Sequence, residues 1–341
     1  MVGEGGMVAA IAVGMLAGLL FLAGFPVGAA LAALWRGAFG STDAVLSSTL
    51  VRAIPLLLIG SGMVIALRAG VINLGGDGQL LAGAVVATAL ALGFDQWGVF
   101  GVTLALIGAA VGGAGWALLP AWLKSRFGTL EVVSTIMMNF LALYVVSYLV
   151  RGPLQEPTGI YPQSATISVA AQLPPLIAGS RLHAGVGLAV LAVVVSWLLL
   201  EHTAAGFRIR AVGSNPRAAE LAGRIDVRRV QRGAFLTSGA LAGLAGGIEV
   251  LGVTFALYEN LSPGYGYSAI AVALLARLGP LRVVLSALLL GGLAAGATAM
   301  QRDAGIPSGA AATVEATLIL VILGGQALLL RRAGADRVAT S

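Results

Sequence analysis

The chain has 341 residues, of which 58% are hydrophobic and only 10% charged, and its mean hydropathy is +0.97. So little charge excludes a water-soluble globular domain, and the solvent for most of the chain is lipid. The net charge of +6 sits in short gaps between apolar runs, which is not a nucleic-acid footprint, and the lack of cysteine excludes thiolate metal sites, disulfides and Cys nucleophiles.

The N-terminal MVGEGG has no basic n-region, and the apolar run from Met7 to Leu34 is too long for a signal-peptide core, so it reads as a retained transmembrane helix. Segments able to cross about 30 Å of hydrocarbon lie at 7–35, 48–67, 98–120, 131–150, 232–253, 281–300 and 312–330. Less regular ones lie at 71–92, 184–200 and 262–277, the first and last interrupted by glycine. These predict an all-α polytopic membrane protein of about ten transmembrane helices, one transmembrane domain over 1–341, with both termini on one side.

A polar island, EHTAAGFRIRAVGSNPRAAELAGRIDVRRVQR, covers 201–232 and holds Arg208, Arg210, Arg217, Arg224, Arg228, Arg229 and Arg232. Within it Asn215 is an N-cap candidate, Pro216 takes the first helical position and Gly223 can close the end. About two helical turns are too few to stand alone in water, so the bundle must hold this helix, which is then placed to dock onto a soluble partner. With 201–232 inside, alternation also puts inside Arg68, Lys124, Arg126, Arg277, Arg282, Arg331, Arg332 and Arg337, leaving only Arg36, Arg52, Arg151, Arg181 and Arg302 outside. The positive-inside bias favours that orientation, with both termini cytoplasmic. The longest external loop, 151–183, is rich in Pro and turn residues and suits contact with an extracytoplasmic component.

Two Gly-rich breaks, AGVINLGGDGQLLAGA (69–84) and SPGYGYSAIAVALLA (262–276), stand at matching places in two halves of the chain. Interrupted helices so placed point to a translocation path. Ionisable and amide side chains inside spans are costly and suggest function. Here they are Asn73, Asp77, Gln79, Glu131, Asn139, Glu249 and Glu315. Asn73, Asp77 and Gln79 can line a path, or Asn73 and Asp77 can cap the half-helix after the break. Glu131 opens a span and suits a helix-dipole partner. Glu249 and Glu315 have no opposite charge close by in the sequence. Tyr258, Tyr265 and Tyr267 can stack on a flat base or sugar face, or form an interfacial aromatic belt. The spacings Gly239, Gly243, Gly247 and Gly292, Gly296 indicate close helix packing.

Catalytic patterns are absent: no GxxxxGK[ST], no HExxH and no GxSxG occurs, and His183 and His202 fall on opposite faces of the membrane. The chain therefore neither binds ATP by a P-loop nor reads as an enzyme, and it carries no cofactor of its own.

Four segments, AGVINLGGDGQLLAGA (69–84), EVVSTIMMNFLA (131–142), TAAGFRIRAVGSNPRAAELAGRIDVRR (203–229) and GYGYSAIAVALLARLGP (264–280), with a looser fifth at 305–323, resemble the inner-membrane permease subunits of bacterial ABC importers, in the branch of ribose-type and branched-chain amino-acid permeases. Together with PTGIYPQS and RLHAG the resemblance is greatest to the nucleoside-importing members. It implies a permease domain over 1–341 in which 201–232 is the coupling loop, and 214–226 is the helix that inserts into the ATPase subunit, with Gly213, Ser214, Asn215, Pro216, Arg217 and Glu220 at the contact. It further implies separate ATP-binding subunits that hold ATP and Mg, a second permease subunit, and a substrate-binding lipoprotein outside the bacterial cytoplasmic membrane. Asn73, Asp77, Gln79, Asn139, Glu249, Tyr258, Tyr265 and Tyr267 are the expected path residues. Relatives commonly have Glu where this chain has Asp77, which shortens the reach by one methylene. Arg228, Arg229 and Arg232 are expected at the lipid edge, each contributing about 1 kcal/mol of attraction to anionic headgroups. The rival readings are the same machinery for ribose or another simple sugar, an ion-driven secondary transporter, and a non-transporting scaffold.

Overall fold

The computed structural model describes the backbone of residues 2–223 and 225–339, and the side chains of these apart from 2–10, 12, 222, 223 and 326–339. In chain order the helices are α1 (Val2–Leu22), α2 (Val27–Phe39), α3 (Leu50–Arg68), α4 (Gly76–Gly93), α5 (Val99–Phe127), α6 (Glu131–Val150), α7 (Gly185–His202), α8 (Ala204–Ser214), α9 (Pro216–Gly223), α10 (Val227–Glu249), α11 (Tyr265–Leu275), α12 (Val283–Ala304) and α13 (Ser308–Ala339). π-Helical turns at Ala44–Thr49 and Val250–Thr254 precede α3 and extend α10. Among the described residues β-structure is limited to three isolated bridges. Helices satisfy every backbone group within one segment, which is what a hydrocarbon solvent demands.

Eight of these helical stretches are long and apolar enough to cross a membrane, among the described residues: 44–68, 76–93, 99–127, 131–150, 185–202, 227–254, 283–304 and 308–325. Two of the expected segments take a different form. The run expected as one span over 7–35 is cut after Leu22: Gly24 adopts φ +76°, and Pro26 lacks the N–H needed to continue a helix and caps α2 instead. The expected span at 262–277 is the 11-residue α11, because Gly264 at φ +97° starts the helix late.

The chain forms two compact units, Met1–Ala53 with Leu288–Ser341, and Ile54–Ala287. In the first, Leu16, Leu20, Ala30, Ala33, Met300 and Val314 make a buried apolar cluster. Gly296 lies against the Leu34 carbonyl and Gly292 against the Phe39 ring, so the spacing read as packing does pack. Glu315 is half-buried on α13 in this unit.

The second unit is built around α4, α5 and α10. Gly83 of α4 and Gly113 of α5 both lie on the backbone of Gly243 of α10, and Gly246 lies on the Leu80 carbonyl. A Cβ at any of these glycines would land on backbone, which cannot yield as a flexible side chain can. Small residues let helices approach closely enough for dispersion contacts to drive association where lipid offers no hydrophobic force. The loop 151–183 is laced to the chain that leaves α10. Ser164 N donates to Leu257 O (2.7 Å), Ile167 N to Phe255 O (2.8 Å) and Leu173 N to Leu251 O (2.9 Å), and Ser164 and Ile167 are buried. That lacing satisfies the backbone of the π-turn and the break behind it.

Candidate functional site

Non-helical backbone at membrane depth needs partners, and the break between α3 and α4 finds them in amide side chains. The Asn73 carboxamide is fully buried: its Nδ2 donates to Gln79 Oε1 (2.8 Å) and Ser238 Oγ (3.0 Å), while its Oδ1 accepts from Gln79 Nε2 and Gly75 N, both at 3.0 Å. Asn139 serves the same break from α6. Its Oδ1 accepts from Gly78 N (2.9 Å), and its Nδ2 donates to Leu74 O (2.8 Å) and to the Tyr267 hydroxyl (3.0 Å). Each amide thus takes a backbone group that the missing helical turn would have paired.

Asp77 does not cap its own helix; the α4 N-cap is Gly75, without a side-chain bond. Instead Asp77 Oδ1 accepts from Gly266 N (3.1 Å) and from Ser262 Oγ (2.5 Å) in the second break. Ser262 Oγ in turn accepts from Gly264 N (3.2 Å) and Tyr265 N (3.1 Å). The carboxylate therefore stands at the N-terminus of α11, where the helix dipole is positive. The two broken helices meet through glycine: a Cβ on Gly76 would come within 3.0 Å of Gly266 Cα, and one on Gly266 would strike Asp77 N. Asp77 Oδ2 is buried and accepts no hydrogen bond.

The two breaks so joined bring together Asn73, Asp77, Gln79, Asn139, Tyr265 and Tyr267. Tyr265 is buried, whereas nearly half of Tyr267 is exposed. Glu249 immediately precedes the π-turn and Tyr258 follows it. Burial, then the Glu249 carboxylate, raises the Tyr258 hydroxyl above its ordinary range. His183, buried beside the same turn, accepts from Gly185 N through Nδ1 (3.2 Å) and packs its ring where a Cβ of Gly252 would sit. Burial, and then the Arg181 charge, lower its pKa to about 4, so it is neutral. Nearby, Arg151 grips Glu259 bidentately (2.7 and 3.1 Å) and Ser147 Oγ donates to the same carboxylate. These contacts lower the Glu259 pKa to about 2.

At the opposite end of the unit, Glu131 accepts from Ile72 N (3.0 Å) and pairs with Lys124, so it does more than oppose its helix dipole. Arg68 binds Glu201 (2.6 Å) and donates to Leu278 O (2.8 Å). The island between α7 and α10 folds as α8 and α9. Thr203 caps α8 by accepting from Gly206 N (3.0 Å), and Asn215 Oδ1 accepts from Ala218 N (3.1 Å) at the start of α9, with Pro216 first in the helix. Arg217, Glu220 and Leu221 are exposed on α9 and Ala219 is buried beneath them. Gly213 sits on Arg68 O and Gly70 N, and Gln231 Nε2 donates to Ala69 O (3.3 Å). The end of α8, which leads into α9, and the start of α10 are thereby seated on the residues that open the first break.

Sequence reasoning missed Ser262 and Ser238, partners of Asp77 and Asn73, and the exposed Leu221. The Ser-Pro-Gly run ahead of α11 is an available signal for Ser262, since a serine two residues before a positive-φ glycine makes such a turn. Ser238 and Leu221 carry no such local mark.

Residues 45–325 match the family described as branched-chain amino acid transport system / permease component. The chain is 38% identical over 325 residues to the guanosine ABC transporter permease protein NupP of Bacillus subtilis, covering 94% of this chain and 92% of that one. It is 37% identical over 288 residues to the glucose ABC transporter permease protein TsgB13 of Haloferax volcanii, covering 82% and 76%. To the nucleoside ABC transporter permease protein NupB of Lactococcus lactis it is 32% identical over 299 residues, covering 85% and 81%. Its apolar helices and the length of these matches agree, and the chain belongs to this family: it is a multi-pass ABC-transporter permease subunit, not an enzyme.

Proposed function

We propose that this permease carries a nucleoside inward across the bacterial cytoplasmic membrane, driven by ATP hydrolysis on separate subunits that hold ATP and Mg. The joined breaks form the specific part of the path. Two half-helix N-termini converge there beside amides and one exposed tyrosine face, a setting that suits hydroxyls and a flat base. Asn73, Gln79 and Asn139 hold the backbone open, Asp77 joins the two breaks beside the path, and Tyr267 faces the solute. Tyr265, Tyr258 and Glu249 frame the path. The names of two relatives, guanosine and nucleoside permeases, support the cargo; that of the glucose permease makes a simple sugar the second reading. Family membership speaks against an ion-driven carrier.

The observation that carries the coupling is the seat of Gly213 on Arg68 and Gly70. In this reading Gly213, Ser214, Asn215, Pro216, Arg217 and Glu220 present α9 to an ATP-binding subunit on the cytoplasmic side, with Leu221 as its apolar contact. Movement of α9 then reaches the first break through about two residues of chain rather than through a long helix. A second permease subunit completes the path, and a substrate-binding lipoprotein delivers solute to the face that carries 151–183, with both termini on the cytoplasmic side. The test replaces 213–220 with a Gly-Ser linker in the assembled transporter. Insertion is expected to persist while solute-stimulated ATPase activity is lost; stimulation equal to wild type would place coupling elsewhere.

A further inference from the structure

The second unit has a cavity that the transport reading does not use. It measures about 310 Å³ and opens where α5 ends and α6 and α10 begin. Its rim carries Lys124, Arg126, Arg228 and Arg232 against a single carboxylate, Glu131. Lys124 and Glu131 neutralise each other, and Arg126 lies 5.6 Å over the Phe127 ring. Among the described residues no carboxylate pairs with Arg126, Arg228 or Arg232; Asp226 spends an oxygen capping α10 at Arg229 N (2.9 Å). Three guanidinium groups around one cleft carry a fixed positive charge with fork-shaped donors that match phosphate oxygens.

The floor differs from the rim. Val71, Pro120, Ala121 and Phe235 are buried and apolar. On α5 beside the opening, Trp122 and Phe127 stack edge to face at 5.5 Å, and both are exposed, as is Leu130. Exposed aromatic rings at a span terminus mark the level of the headgroups. A basic rim over an apolar floor at that level fits an amphiphile, anionic at one end and hydrocarbon at the other. A free phosphate would use the rim alone and leave the floor wet.

We propose that this cleft is a binding site for the phosphate of an anionic phospholipid, held by Arg126, Arg228 and Arg232 with an acyl chain along α5. The site also has a route to the break: Lys124 binds Glu131, and Glu131 holds Ile72 N. A lipid phosphate that drew Lys124 away would loosen the start of the first break.

The test uses the full-length chain in phosphatidylcholine nanodiscs with a minor fraction of phosphatidylglycerol, reading retained lipid by native mass spectrometry. Wild type should retain phosphatidylglycerol in preference to phosphatidylcholine. Each of Arg126→Gln, Arg228→Gln and Arg232→Gln should lower that preference about fivefold, whereas Arg208→Gln, an exposed arginine outside the cleft, should leave it unchanged. An unchanged preference in the Arg228→Gln/Arg232→Gln double variant overturns the site, as does an equal loss in Arg208→Gln. In a second arm, inorganic phosphate should displace the lipid no better than chloride at equal ionic strength. Selective displacement by phosphate would overturn the lipid as the occupant.

Discussion

Asn139 makes the sharpest test of how the first break is held. Truncation to alanine removes three hydrogen bonds and leaves two backbone groups, Gly78 N–H and Leu74 C=O, without their partner in a water-poor interior. An orphaned buried group costs about 1–3 kcal/mol in water-soluble proteins. Interhelical hydrogen bonds in membranes measure lower, about 0.6 and up to 1.7 kcal/mol, because a membrane-inserted chain finds other partners when it loosens. Taking the membrane scale for two orphaned groups gives a loss of about 1–3 kcal/mol for Asn139→Ala. Tyr267→Phe removes only one bond, orphans no backbone group, and should cost about 0.6 kcal/mol. Asn139→Asp keeps an acceptor for Gly78 N but sets a carboxylate against the Leu74 carbonyl, so it should be at least as harmful as alanine. The assay is thermal unfolding of the three purified variants in one detergent. The reasoning fails if Asn139→Ala matches wild type, or if Tyr267→Phe is the more destabilising of the two.

The packing of α4, α5 and α10 predicts that Gly243→Val abolishes stable insertion, since its side chain would strike the Ala109 carbonyl and Gly113; a monodisperse, wild-type elution profile would contradict this. Gly213→Ala should reduce solute-stimulated ATPase activity severalfold at normal expression, because its Cβ would meet Arg68 O; unchanged stimulation would detach α9 from the break. His183 has a folded pKa of about 4, below its ordinary 6.5, so the unfolded chain binds a proton that the folded one refuses. Its contribution is complete above pH 6.5 and is lost as pH falls towards 4. His183→Gln should flatten the stability profile in that window, and an unaltered slope would count against the buried neutral imidazole. Glu259 is also depressed, to about 2, so the stability its ion pair with Arg151 contributes is complete above pH 4.5 and is lost as pH falls from there to about 2; Glu259→Gln should remove this lower limb.

Much of this architecture was legible in the amino-acid pattern. Lipid solubility followed from charge content, the two breaks from their glycines, and α9 from Asn215, Pro216 and Gly223. Asp77 was legible as important, as a path residue or as a cap of its own helix, but its partners were not: it binds Ser262 and Gly266, some 185 residues away. Long-range pairing leaves no periodic trace, so no local pattern could have supplied it. The same holds for 151–183, which looks like an open turn-rich loop and is in fact stitched to 251–258 by backbone bonds that any sequence can make. The early end of the first span was readable from Gly24 and Pro26, and hydropathy alone passed over it because neither residue is strongly polar.

The account rests most directly on ATP-driven nucleoside uptake. The measurement is uptake of radiolabelled guanosine, uridine and ribose by cells with and without this chain, each with and without ATP depletion. Loss of ATP-dependent nucleoside uptake alone is the predicted result. Loss of ribose uptake alone would keep the machine and contradict the cargo, and uptake that is lost with the chain but indifferent to ATP would contradict the coupling as well.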